Sequence, residues 1–167
     1  DLGSICNNPE DYASFYHNYR GKRYRHDQVH NLFGYYMTRS ASEAFERYVP
    51  EKRILLFSRA SYIGMHRFGG IWQGDNASWW SHLKMNVKMM PSLNMCGILY
   101  TGADVGGFGA DATEDLVLRW LEFAVFTPLL RNHSARGTRR QEVYRFSHVE
   151  KFADVIGVRY QILPYIY

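Results

Sequence analysis

Gly69-Gly70-Ile71-Trp72-Gln73-Gly74-Asp75-Asn76 decides the reading of this chain. The run is apolar, then aromatic, and it stops at Gly-Asp-Asn. A short buried strand reads this way when it ends by presenting one carboxylate at a turn. Three other apolar runs end in a similar manner. Leu55-Leu56-Phe57-Ser58 ends at Arg59, Ile98-Leu99-Tyr100-Thr101-Gly102-Ala103 at Asp104, and Leu129-Leu130-Arg131-Asn132 at His133. Four strand ends that each deliver a polar group point to one shared site.

Between these runs the periodicity predicts helices. Asp27 can cap a helix to about Tyr48, whose apolar positions Val29, Leu32, Phe33, Tyr36 and Met37 recur at helical spacing, with Pro50 as the stop. A second helix is expected from about Ser78 to Met90, ended by Pro91. A third, capped by Thr113 or Asp111, runs to about Phe126, with Leu116, Leu118, Trp120, Leu121 and Phe123 on its buried side. Ser147 and Glu150 form a capping box for a fourth, which includes Phe152, Val155, Ile156 and Tyr160 and reaches Pro164. The strands are expected at 53–58, 69–73, 95–100 and 128–131. Residues 1–26 show no clear period and read as a loop or insert region, and 27–167 as strand–helix units. Alternating strands and helices favour a parallel sheet covered by helices. Four strands with functional ends fit the second half of a (β/α)8 barrel. The whole chain is then a fragment of such a domain, because a closed barrel takes about 250 residues.

The net charge is +4, yet basic residues are interleaved with acidic ones, so no nucleic-acid surface is indicated. No apolar run approaches the roughly 18 residues of a membrane span. The two cysteines suit neither a disulfide framework nor a metal site, and Cys96 reads as a buried thiol. Reduced thiols tilt the expected compartment to the cytoplasm. The opening Asp1-Leu2-Gly3-Ser4 has no initiator Met and suggests a piece of a longer chain.

Carboxylates, an Arg and a His beside Trp72, Trp79, Trp80 and Phe108 suit a carbohydrate, which offers hydroxyls for charged hydrogen bonds and C–H faces for stacking. Each residue also has a plainer reading. Asp75 alone fits a turn residue, Asp104 a structural partner of Arg59, His133 a core histidine, and at least one of Trp79 and Trp80 a core tryptophan. The case rests on their arriving together. Two other motifs compete weakly. His26-Asp27-Gln28-Val29-His30 has the histidine spacing of HExxH zinc peptidases, but with the shorter Asp and at a helix start. Gly106-Gly107-Phe108-Gly109 follows neither dinucleotide nor P-loop spacing. No metal site is expected. The sequons at Asn76 and Asn132 would put a glycan over the site and read as chance matches.

At these residues the chain resembles glycoside hydrolase family 31, the α-glucosidase family. Phe57-Ser58-Arg59-Ala60-Ser61-Tyr62 is similar to its Ser-Arg-Ser-Thr-Phe-type segment. Gly70-Ile71-Trp72-Gln73-Gly74-Asp75-Asn76 is similar to its His-Trp-x-Gly-Asp-Asn, with Ile in place of His. Tyr100-Thr101-Gly102-Ala103-Asp104-Val105-Gly106-Gly107-Phe108 is similar to its Gly-Ala-Asp-x-x-Gly-Phe, and Arg131-Asn132-His133 is identical to its Arg-Asn-His. The match runs from about Asn31 to Tyr167, and its flavour is that of bacterial α-glucosidases.

The resemblance implies a retaining two-carboxylate hydrolase acting on terminal α-glucosidic bonds, without metal or organic cofactor. Asp75 would be the general acid/base. Arg59 and His133 would hold hydroxyls of the sugar in the −1 subsite, Asp104 would support that network, and Trp72 and Phe108 would wall the pocket. The family's nucleophile, the Asp of a Trp-x-Asp-Met-Asn-Glu segment, is not in this sequence, so the isolated segment is expected to be inactive. Its partners would be α-glucosides or oligosaccharides, the remainder of the parent barrel and its β domains. An α-xylosidase or transglucosidase of the same family is the nearest alternative. A non-catalytic carbohydrate-binding module is the alternative of another class.

Overall fold

The computed structural model describes residues 9–167, which fall into two compact units that meet between Ile71 and Trp72. In the first unit, helix α1 (Pro9–Ser14) leads to an antiparallel hairpin of β1 (Tyr16–Tyr19) and β2 (Lys22–Arg25). The hairpin turns on Arg20 and Gly21, both with positive φ, as a tight two-residue connection demands. It corrects the expected loop over 9–26. The strands are too short and polar to alternate visibly, and the turn is not one of the usual Asn-Gly or Asp-Gly pairs. Residues 1–8, Cys6 included, lie outside the described residues.

Helix α2 (His26–Tyr48) forms where the period predicts it. Its cap is Arg25 rather than Asp27: the Gln28 side chain takes the Arg25 N–H at 2.9 Å, and Asp27 binds the Arg25 guanidinium. The two histidines of the HExxH-like motif are bonded to each other. His26 Nδ1 meets His17 Nε2 at 2.7 Å, while its Nε2 meets His30 Nδ1 at 2.9 Å. Strand β3 (Phe57–Ser58) then pairs in parallel with the start of β4 (Gly70–Trp72), across a 3-10 turn at Met65–Arg67. Residues 53–56 lie outside β3, although the Leu56 carbonyl accepts Gly70 N–H at 2.7 Å.

The second unit begins at the end of β4. Helix α3 (Trp80–Met95) runs through Pro91 instead of ending there. Pro91 cannot donate to the carbonyl four residues back, yet the helix continues for four more residues. It stops where Gly97 supplies φ +83: Ile98 N–H bonds to Leu93 O at 3.0 Å and Gly97 N–H to Asn94 O at 2.9 Å, a Schellman close. The strand expected over 95–100 is therefore displaced to β5 (Thr101–Gly102) and β6 (Asp104–Val105). Cys96, expected to be buried, is exposed at the helix end, and Trp79 and Trp80 are both more than half exposed.

Helix α4 (Glu114–Ala124) is capped by Thr113, whose hydroxyl accepts Leu116 N–H. β7 (Arg131–Asn132) pairs in parallel with β6, Asp104 opposite Arg131. Helix α5 (Val149–Ile166) closes the chain. The Ser147–Glu150 capping box does not form. Glu114, reaching over from α4, takes the His148 backbone N–H at 2.8 Å instead. The core of this unit packs Leu116, Val117, Trp120 and Leu121 of α4 against Val105 of β6 and Phe152 of α5, all buried. Leu118 and Phe123, expected on the same face, are only partly buried against it.

Candidate active site

Asp75 follows β4 at a tight turn. Gly74, with φ +87, bends the chain, and Asp75 is exposed between two buried neighbours, Gly74 and Asn76. The Asn76 side chain donates back to Gly74 O at 3.2 Å, while the Asn76 backbone carbonyl accepts Phe108 N–H at 2.7 Å and Gly109 N–H at 3.0 Å. Ser78 N–H donates to Gly109 O at 2.6 Å. The turn that carries Asp75 is thus laced to the loop that carries Phe108. Gly107 makes the close approach possible: its φ is +85, and a Cβ there would stand 2.7 Å from the Ala77 carbonyl. Farther along, His82 Nδ1 accepts Ala77 N–H at 2.9 Å, which leaves the ring's other nitrogen as the protonated one when neutral.

Asp104 opens β6, opposite Arg131 of β7. It is fully buried, and its Oδ1 accepts Trp72 Nε1–H at 3.1 Å and Arg131 Nε–H at 2.6 Å. The Arg131 guanidinium also lies 4.9 Å from the Trp72 ring centroid, a cation–π contact. Burial pushes the Asp104 carboxyl above the usual carboxylate range, against the pull of Arg131, His133 and the Trp72 indole. The sequence offered Arg59 as its structural partner; within this unit the partner is Arg131. The spacing was the available signal, since in a run read as extended residues 131 and 133 would share a face and His133 was already singled out.

His133 is exposed and stacks on Phe108, ring centroids 5.1 Å apart and planes 29° apart. Gln141 fixes this pair from beneath. It is almost wholly buried, and its Nε2 faces three carbonyls: Val105 at 3.0 Å, Gly107 at 3.1 Å and His133 at 3.3 Å. One side-chain amide therefore ties the Phe108 loop to the His133 segment. Nothing in the sequence marked Gln141. The second unit thus brings together Trp72, Asp75, Asp104, Phe108 and His133, and adds Arg131. Arg59 directly follows β3 in the first unit, exposed.

A model of the glycosyl hydrolases family 31 TIM-barrel domain matches residues 2–167. The chain belongs to glycosyl hydrolase family 31. Its fold is accordingly a TIM-barrel fragment, and the motif resemblance holds. Among curated relatives, α-glucosidase 2 of Bacillus thermoamyloliquefaciens is 37% identical over 90% of this chain and 19% of its own length. Neutral α-glucosidase C of Mus musculus is 33% identical over 86% of this chain and 16% of its own. The crystal structure of a family 31 α-glucosidase from Bacteroides thetaiotaomicron superposes with a TM-score of 0.79 at 35% identity, over 90% of this chain and 26% of that one. This family 31 chain spans a fifth or less of the length of those two curated relatives.

Proposed function

We propose that this family 31 chain is the acid/base-bearing part of a retaining α-glucosidase, with Asp75 as the general acid/base. The observation that carries the reading is the Asp75 turn itself. A solvent-reachable carboxylate stands at a strand end, on a backbone fixed by hydrogen bonds to the Phe108 loop, within the residues most like the family's Gly-Asp-Asn segment. In the first step Asp75, protonated, gives its proton to the glycosidic oxygen as the C1–O bond breaks and a carboxylate elsewhere in the barrel bonds to C1. In the second, the Asp75 carboxylate takes a proton from water as that water attacks C1 and frees the nucleophile. Two carboxyl groups about 5–5.5 Å apart are needed for this double displacement.

Arg59 and His133 hold sugar hydroxyls in this reading. Phe108, stacked on His133, and Trp72, braced by Arg131, form walls. Asp104 acts from beneath through Arg131 and Trp72, since its buried carboxylate is already engaged there. The strands at 57–58, 70–72, 101–105 and 131–132 would be four successive staves of the parent barrel. The groove of about 910 Å3 beside α5, lined by Leu130, Ile156, Tyr160 and Leu163, is where the remainder of that barrel would pack.

The test follows a terminal α-glucoside with the intact enzyme by proton NMR. The reading expects α-glucose to appear first and the β anomer only as mutarotation proceeds. Initial release of β-glucose, or no turnover of α-glucosides, would contradict it.

A further inference from the structure

Beneath the Asp75 turn lies a buried amide cluster that the catalytic scheme above does not use. Asn86, from the middle of α3, is fully buried. Its Nδ2 donates to Gln73 Oε1 at 2.7 Å and to Asn76 Oδ1 at 3.3 Å. Gln73 and Asn76 flank Gly74-Asp75 on either side. The Gln73 backbone N–H is tied to Gly102 O at 3.0 Å, and its Nε2 approaches Met90 Sδ at 3.1 Å, with Thr101 Oγ1 at 3.5 Å. The Asn76 side chain completes the circuit by donating to Gly74 O.

We propose that Asn86 is a positioning residue for the acid/base: one buried side-chain amide grips both ends of the Gln73-Gly74-Asp75-Asn76 turn and so sets where the Asp75 carboxylate stands. Three features carry this. Gly74 sits at positive φ, so the turn has little backbone preference of its own to hold it. Asn86 approaches from a helix, a more rigid base than a loop. Both of its acceptors are side-chain oxygens on the turn, one before Gly74 and one after Asp75, so the grip is on the turn and not on the sheet beneath it. Asn86 Oδ1 is itself buried and has no hydrogen-bond partner among the described residues. Removing the amide would leave the Gln73 and Asn76 side-chain oxygens without that donor. The turn could then satisfy them only by shifting.

The inference rests on the acid/base reading of Asp75, and the experiment separates the two. In the intact enzyme, Asn86→Leu, which keeps the volume, and Gln73→Met are compared with Asp75→Ala on an aryl α-glucoside with a poor leaving group and on α-glucosyl fluoride, whose departure needs little proton donation. Misplacement by about 1 Å can cost roughly a hundredfold in rate. The expectation for Asn86→Leu is therefore a ten- to hundredfold fall in kcat/KM on the poor leaving group, with at most about a threefold fall on the fluoride. KM should change little. Gln73→Met should show the same pattern more weakly, and the double variant should lose no more than Asn86→Leu alone. Equal losses on both substrates, or no loss from either variant while Asp75→Ala retains its leaving-group dependence, overturn the role of Asn86. If Asp75→Ala itself shows no such dependence, the acid/base reading fails instead. Should Asn86→Leu not fold, the Gln73→Met comparison decides by the same criteria.

Discussion

Asp104 carries a carboxylate to a place that water does not reach. Its pKa is raised by that burial, so the folded protein holds its proton more tightly than the unfolded chain does. The sign follows: the contribution of this group to stability is present below the ordinary carboxylate range and is lost as pH rises through its raised folded value. Asp104→Asn keeps one oxygen for Trp72 and Arg131 and removes the titration. The variant of the intact enzyme should therefore have a flatter dependence of Tm on pH across the acid range, by differential scanning calorimetry at a series of pH values; an unchanged slope would be against it. Gln141 is a second case at this scale. Gln141→Leu leaves the buried carbonyls of Val105 and Gly107 without their donor and should destabilise by about 1–3 kcal/mol in urea unfolding. A change within error would mean that the tie is not needed. These residues also mark the limit of what the sequence reveals. Asp75, Asp104 and His133 could be singled out because each follows an apolar run in the sequence. Gln141 and Asn86 could not, because their partners are carbonyls and amides of segments 8 to 36 residues away in the chain, and a buried Gln or Asn looks like any surface amide.

Among the elements, α2 and α4 were legible from periodicity, and α4 also from its Thr113 cap. The end of α3 was misjudged because Pro91 is the more conspicuous signal, although Gly97 makes the bonds that stop the helix. The start of α5 was misjudged for a different reason. Ser147 has the right spacing for a box, but the orphan N–H of His148 is taken by Glu114 of another helix, which local sequence cannot show. That bond, with those from Ser147 and the His148 ring, holds the Glu114 carboxyl below its usual range. Stability from it is present above the unfolded pKa and is lost as pH falls through the lowered folded value. Glu114→Gln should therefore lower Tm at neutral pH and converge with the parent protein at strongly acid pH. A constant offset at all pH values would show that the carboxylate charge plays no part.

For the molecule as a whole, the two-carboxylate scheme and the sequence together make a simple prediction. The 167-residue segment has no Trp-x-Asp-Met-Asn-Glu segment, so alone it should not hydrolyse a nitrophenyl α-glucoside; measurable turnover would mean that the nucleophile is one of its own residues. The barrel-fragment assignment was legible from alternating apolar runs and helical periods and from the motifs, even though its strands are only two or three residues long. The division at Ile71–Trp72 was not, because it falls inside β4, where no change of composition signals it. The central claim concerns one carboxylate, and it is tested most directly by azide rescue of Asp75→Ala in the intact enzyme, with α-glucosyl fluoride as substrate. The fluoride leaves without a proton, so the glycosyl-enzyme forms, and its hydrolysis stalls for want of a base. Azide needs no base: it should restore turnover by attacking C1, expelling the nucleophile carboxylate and giving α-glucosyl azide. No acceleration by azide, or β-glucosyl azide as the product, would contradict the assignment of Asp75 as the acid/base.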